Sequence, residues 1–222
     1  MFTDLSLHNR PGTRRLRAEF ALLYLAAPAA IAVFLPPALM FQALFAFTGL
    51  GLALLHFTPG FRWAELRHGW ANWSLREVVQ FALLVAAVSL AVVMMTRPEA
   101  AFFLMKERPQ LLLFIWIGYP LVSALPQELL FRPLFFRRYA AILPAGPRAD
   151  VLNAAVFSFA HLMYWSWIVA VMTFAGGLVF SWAYRARGSF FYAVLLHAVA
   201  GNILFAVGMG IYFYSGNVTR PF

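Results

Sequence analysis

The sequence EVVQFALLVAAVSLAVVMMT occupies residues 77–96 and carries a single charge, at its first residue. A helix of this length, at about 1.5 Å per residue, is about 30 Å long and matches the hydrocarbon core of a bilayer. Comparable apolar runs recur along the chain, which is 63% hydrophobic and 11% charged. The sequence therefore predicts an all-α, polytopic transmembrane helix bundle of about seven spanning helices, at residues 18–36, 37–56, 77–96, 109–131, 149–164, 166–184 and 189–214.

These spans leave no room for a sizeable soluble domain. Residues 1–17 are expected to form a cytoplasmic amino-terminal tail, residues 18–214 the membrane domain, and residues 215–222 a short carboxyl-terminal tail. The chain has no cysteine, which excludes disulfides and thiolate chemistry. One membrane domain is thus expected to carry the whole function.

The formal net charge is +9, and the positions of the basic residues give the predicted orientation. Basic residues concentrate in the cytoplasmic loops of membrane proteins, so the charge predicts no nucleic-acid partner. With the amino end in the cytoplasm, four basic residues face outside and twelve face inside: Arg10, Arg14, Arg15, Arg17, Arg62, Arg67, Arg76, Arg137, Arg138, Arg148, Arg185 and Arg187. We expect a multi-pass protein of the inner (plasma) membrane. The basic, aromatic segment 62–73 is expected to lie as an amphipathic helix on membrane lipids.

Four ionisable side chains lie inside the predicted spans, and such groups are functional candidates because a bilayer makes them costly. They are Glu128, Arg132, His161 and His197. Measured along straight helices, Glu128, His161 and His197 each lie about 13–16 Å from a cytoplasmic marker residue, near the midplane. Three groups at one depth on three helices can meet in one cavity.

A carboxylate with two imidazoles can activate water and stabilise an oxyanion, or can bind zinc with one position open for water. Structural roles without catalysis stay open. Glu128 and Arg132, four residues apart, can form an ion pair that only holds the helix in the bundle. Each histidine can be a hydrogen-bonded packing residue. A midplane acid with histidines also suits a proton-coupled transporter. The sequence contains no paired-histidine zinc motif and no serine-hydrolase motif.

Three motifs carry a resemblance: Gln127-Glu128-xxx-Arg132, Phe157-xxx-His161 and His197-xxx-Gly201-Asn202. In this order, over residues 119–207, they resemble the CPBP family of CAAX-protease and bacteriocin-processing intramembrane endopeptidases. The resemblance implies hydrolysis of a peptide bond in a membrane-associated protein or peptide. It implies that Glu128 and His161 activate water, that Arg132 orients the acid, and that His197, with Asn202 as a candidate, stabilises the oxyanion. The family is described as both metalloprotease and glutamic protease; we favour the metal-free version, with Glu128, His161 and His197 as the ligands of any divalent metal such as zinc.

The chain departs from the family pattern at two positions. The family's first glutamate is Gln127 here, and an amide cannot take a proton from water. Either Glu128 has taken over, which requires a rotated or distorted helix near Pro126, or the chain is a catalytically silent scaffold. Asn202 follows His197 by five residues rather than four, so its side chain is displaced by about 100° around the helix from the position in the family motif. The alternative to a catalytic role is that its amide packs or bridges two helices. Gly201 is expected mainly to let helices approach closely, and its second use would be to leave space beside His197 for a substrate backbone.

Overall fold

The computed structural model describes residues 12–221, and within that range the chain forms helices and no strand. Arg10 of the predicted cytoplasmic tail lies outside these residues. Seven helices are long enough to build the bundle: α1 Thr13–Phe34, α2 Pro37–His56, α3 Leu75–Thr96, α4 Pro109–Arg138, α5 Pro147–Ala160, α6 Trp167–Arg185 and α7 Phe190–Val207. The prediction of an all-α polytopic bundle is confirmed.

Six of the helices, all but α5, are long and apolar enough to cross a membrane. Helix α5 has 14 residues and is about 21 Å long at 1.5 Å per residue. The following turn Leu162–Tyr164 extends it, and the indole of Trp165 donates a hydrogen bond to the carbonyl of Ala32 near the end of α1. The α5 segment therefore connects both ends of the bundle.

Ion pairs between helices collect at one end of the bundle. The starts of α1, α3 and α5 meet there with the ends of α4 and α6, as expected for helices that alternate in direction. The pairs are Arg138 with Glu19, Arg137 with Glu65, Arg185 with Asp150, and Arg187 with Glu77. This is the end that the distribution of basic residues assigns to the cytoplasm.

Helix α4 is longer and less regular than the predicted span 109–131. It continues to Arg138, and its segments Pro120–Ala124 and Leu130–Arg138 form wide π-helical turns. Prolines lack the N–H that an α-helical turn needs, and Pro120 and Pro133 lie within these two segments. Each wide turn adds a residue and changes which side chains face the bundle interior, a feature often found at functional sites.

The last helix ends earlier than the predicted span 189–214. It stops at Val207 because Gly208 adopts a left-handed conformation, with φ of 108°. A Cβ atom at this position would collide with the carbonyl of Ala100, so the close approach requires glycine. In the described part of the chain two short helices follow, Gly210–Phe213 with four residues and the 3₁₀ turn Ser215–Asn217.

The segment 62–73 does not form the predicted amphipathic helix. It contains one short helix, Trp63–Arg67, followed by turns. The ring of Trp70 stacks on Phe191 at 3.9 Å, and the amide of Asn72 donates to the carbonyl of Arg187, so the segment is tied to the bundle. Gly69, inside the segment, adopts a positive φ of 64°, which a helix does not accommodate.

The outer surface of the bundle is apolar, as a protein surrounded by lipid requires. Large hydrophobic side chains are exposed along α1 to α4 and at the start of α6, among them Leu22, Phe34, Leu83, Met95, Phe114 and Trp167. In contrast, the completely buried side chains include Glu128, Arg132 and Asn153. The bundle therefore has an apolar exterior and a polar cluster at its centre.

Candidate active site

Glu128 and Arg132 form a fully buried ion pair on α4, and both side chains are 0% exposed. The Nε atom of Arg132 donates to Oε2 of Glu128 at 2.8 Å, as the four-residue spacing predicts. The second oxygen of the carboxylate, Oε1, accepts from Nδ1 of His197 at 2.9 Å. The carboxylate is thus held between a cation and an imidazole, away from the membrane exterior.

The contact with Glu128 determines the hydrogen position on His197. A carboxylate only accepts, so Nδ1 carries a hydrogen, and in the neutral form of the ring Nε2 is then an acceptor. The hydroxyl of Tyr119 lies 3.1 Å from this Nε2. Phe180 stacks on the imidazole, with ring centroids 4.8 Å apart. His197 is therefore fixed in orientation and in tautomer.

Arg132 has further partners that the sequence did not identify. Its guanidinium donates to Oδ1 of Asn153 and to the hydroxyl of Ser181, and Ser181 in turn donates to Asn153 at 2.7 Å. The amide of Asn153 also donates to the carbonyl of Phe131 at 2.7 Å. Asn153 is a polar residue in an apolar stretch of α5. A polar side chain in such a stretch is the sequence feature that could have indicated a buried hydrogen-bonding role. Hydrogen bonds of this kind are what makes a buried charge tolerable.

A cavity of about 970 Å³ adjoins this cluster, between α1, α2, α4 and α7. Its polar wall includes Tyr119, Ser123 and Gln127, which follow one another at four-residue intervals on α4; we call these three residues the cavity face. Glu128 and Arg132 form the buried face of the same helix. The amide of Gln127 donates to Ser123 at 2.9 Å, and its Oε1 is buried without a hydrogen-bond partner among residues 12–221.

His161 also lies on the wall of the cavity, immediately after the end of α5. Its Nδ1 lies 2.7 Å from the carbonyl oxygen of Phe157. A carbonyl only accepts, so Nδ1 carries the hydrogen and Nε2 has the lone pair. The ring of Phe157 lies between the two histidines, 4.7 Å from His161 and 5.6 Å from His197. His161 therefore combines a tautomer fixed by the backbone with a position on the cavity wall.

The predicted site residues separate into two groups. Glu128, Arg132 and His197 contact one another, whereas His161 and Gln127 line the cavity. The expected pairing of Glu128 with His161 is replaced by a pairing of Glu128 with His197. The reason is geometric: neighbouring residues on a helix point about 100° apart, so Gln127 and Glu128 cannot both face the cavity.

The structure assigns Asn202 and Gly201 to contacts between α7 and α4. The amide of Asn202 donates to the carbonyl of Trp116 at 3.1 Å, and the indole of Trp116 donates to the Asn202 carbonyl, also at 3.1 Å. This is the helix-bridging alternative. Gly201 serves the close packing that was its main interpretation, because a Cβ atom on it would overlap the ring of Tyr119. That ring fills the space that the second use would have left for a substrate backbone.

The three residues named as ligands of a possible zinc ion do not form a donor set. Within residues 12–221 no three His, Cys, Asp or Glu side chains gather closely enough to hold a metal ion. The guanidinium of Arg132 and the imidazole of His197 already occupy both oxygens of Glu128. A metal at this position would have to displace a cation, so the arrangement does not fit a metal.

Comparison with known proteins agrees with the resemblance. Residues 109–213, from α4 to just past α7, match the family described as Type II CAAX prenyl endopeptidase Rce1-like. Searches of curated proteins and of solved structures found no significant match. The match confirms the resemblance stated from the motifs. The chain is thus similar to a family of CAAX-type intramembrane proteases, and its apolar helices make it a multi-pass membrane protein.

Proposed function

We propose that this protein is an intramembrane endopeptidase that cleaves a membrane-associated protein or peptide, with His161 as the base that activates water. The observation that carries the proposal is the position of His161, whose Nδ1 is bonded to a backbone carbonyl while the ring borders a large cavity. This geometry presents the lone pair of Nε2 as a general base, the role that imidazole performs most often.

In the proposed reaction, a water in the cavity attacks the carbonyl carbon of the scissile bond while His161 takes one of its protons. The carbonyl oxygen becomes an oxyanion on the His197 side of the cavity. When the intermediate collapses, the carbon–nitrogen bond breaks and the leaving nitrogen takes the proton from His161. The products are a carboxylic acid and an amine.

Glu128 acts in this proposal through His197 rather than on water. Both carboxylate oxygens are engaged, by Arg132 and by His197, and the side chain is buried. A carboxylate that holds a histidine in one tautomer is a familiar element of hydrolytic sites. Glu128 and Arg132 are thus positioning residues, while the original expectation made Glu128 a base. The reaction is proposed without a metal, so a strong chelator should leave the rate unchanged.

The proposed orientation has the amino end in the cytoplasm and the protein in the inner (plasma) membrane. It is supported by the cluster of basic residues and ion pairs at one end of the bundle. The chain has no natural cysteine, so single cysteines can report the side. In intact cells, Lys106→Cys should react with an impermeant maleimide, and Arg148→Cys only after permeabilisation. The reverse pattern would contradict the orientation.

A second function is favoured by one observation: the cavity wall carries Gln127 where the family has its first glutamate. A silent relative would bind a membrane peptide in the cavity without cleaving it. The proton-coupled transporter considered from the sequence gains no support from the family match.

The test is cleavage of a library of quenched fluorogenic membrane peptides by the purified protein in lipid. His161→Ala should lower kcat by about 10²–10⁴, the usual contribution of a general base. His68→Ala, in the exposed loop before α3, is the matched control and should cleave like the natural protein. Equal cleavage by the natural protein and by His161→Ala would refute the proposal. Cleavage that appears only after Gln127→Glu would establish the silent relative instead.

A further inference from the structure

Tyr119 lies where the family motif has an asparagine side chain. The motif has asparagine four residues after the histidine, and here that position is Gly201. Three atoms of Tyr119, including its hydroxyl oxygen, are the nearest neighbours of a Cβ atom built on Gly201. An asparagine at position 201 would therefore occupy the space of the Tyr119 ring. The ring of Tyr119 on α4 fills the space that a side chain at position 201 of α7 would need.

The hydroxyl of Tyr119 is also in a reactive position. It lies 3.1 Å from Nε2 of His197, and Tyr119 borders the cavity that contains the proposed reaction. Because Nδ1 of His197 carries the hydrogen bonded to Glu128, Nε2 of the neutral ring has no hydrogen to donate to an oxyanion. A phenol hydroxyl does have one, and it can rotate about the bond between the ring and the oxygen.

We propose that Tyr119 supplies the hydrogen bond that stabilises the oxyanion, in place of the asparagine of the family motif. This inference rests on the proposed endopeptidase function. As water loses a proton to His161 and its oxygen bonds to the carbonyl carbon, the π electron pair of the carbonyl moves onto its oxygen. The O–H of Tyr119 turns from His197 toward that oxygen and hydrogen-bonds to it. Collapse of the intermediate transfers the proton from His161 to the leaving nitrogen and returns Tyr119 to His197.

A role in packing alone would depend on the ring of Tyr119 and not on its hydroxyl. Its ring contacts Phe205 edge-on, with centroids 5.9 Å apart, and fills the space beside Gly201. Packing needs the ring but not the hydroxyl, whereas oxyanion stabilisation needs the hydroxyl. Tyr119→Phe separates the two because it keeps the ring.

The experiment measures kcat and KM for peptide cleavage in lipid. Tyr119→Phe should lower kcat by about 10²–10³, the loss typical for one oxyanion donor, with KM changed less than about threefold. Tyr192→Phe is the matched control: this buried tyrosine donates to Glu77 at 2.9 Å, and its loss should leave kcat unchanged.

A swap of the two positions gives a second test. Gly201→Asn alone should inactivate the protein because its side chain overlaps the Tyr119 ring, and Tyr119→Ala alone should lose the donor. The double variant Tyr119→Ala with Gly201→Asn should recover at least tenfold in kcat over Tyr119→Ala, a non-additive result expected of residues that share one space.

Each outcome decides the inference. Wild-type kcat in Tyr119→Phe, with His161→Ala inactive, would overturn the role of Tyr119 and leave the proposed function standing. A loss of kcat in Tyr119→Phe with KM nearly unchanged would support the role of the hydroxyl, and recovery in the double variant would support its replacement of the asparagine. Absence of cleavage by the natural protein, with cleavage by Gln127→Glu, would overturn both proposals.

Discussion

The two faces of α4 differ in what their polar side chains touch. On the buried face, Glu128 and Arg132 are completely enclosed and bonded to His197, Asn153 and Ser181. On the cavity face, Gln127 has one side-chain partner, Ser123, and its Oε1 has none within residues 12–221. One face is saturated with hydrogen bonds, and the other retains unused hydrogen-bonding capacity.

This difference shows how one motif can divide two tasks between adjacent residues. A saturated buried cluster resists rearrangement, because any lost partner leaves a charge or a polar group unpaired in a low dielectric. An unsaturated wall can bind a ligand, because its free acceptors and donors gain partners from it. We therefore expect large losses of stability from substitutions on the buried face and small ones from substitutions on the cavity face.

The largest stability effect is expected for Arg132→Ala. It leaves the carboxylate of Glu128 buried without its cation, and breaking a buried pair costs about 3–5 kcal/mol. Arg137→Ala is the control, because its pair with Glu65 is partly exposed and such pairs contribute about 0–1 kcal/mol. Unfolding in mixed micelles would measure both. Equal losses in the two variants would contradict the assignment of Arg132 to a buried cluster.

A smaller effect is expected for Ser123→Ala on the cavity face. The change removes the hydrogen bond from the amide of Gln127 and the side-chain hydrogen bond with Tyr119, and each such bond contributes about 0.5–1.5 kcal/mol. The same unfolding assay applies, with the natural protein as reference. A loss as large as that of Arg132→Ala would show that the cavity face is as tightly organised as the buried face and would remove the distinction between them.

The sequence predicted the helices well, because hydrophobic length and charge asymmetry act over whole spans. It predicted the meeting of Glu128 with His197, since both lie at one depth. It did not predict which side of α4 Glu128 faces, because the wide turns around Pro120 and Pro133 change the helical register in a way that spacing does not show.

Contacts between distant residues were beyond sequence reasoning for a similar reason. Tyr119 and Gly201 are 82 positions apart, and only the packing of α4 against α7 shows that the ring of one occupies the space beside the other. The end of α7 at Val207 likewise depends on the approach of Gly208 to the Ala100 carbonyl, which is a tertiary contact. Local patterns specify elements, whereas such contacts depend on how the elements meet.

The most direct test of this division is to measure kcat and the free energy of unfolding on the same preparation of His161→Ala in lipid. His161 borders the cavity and has a single backbone hydrogen bond through Nδ1. We expect kcat to fall at least about 100-fold while the free energy of unfolding changes by no more than about 1.5 kcal/mol. Wild-type kcat in this variant, or a loss of stability as large as that of Arg132→Ala, would contradict it.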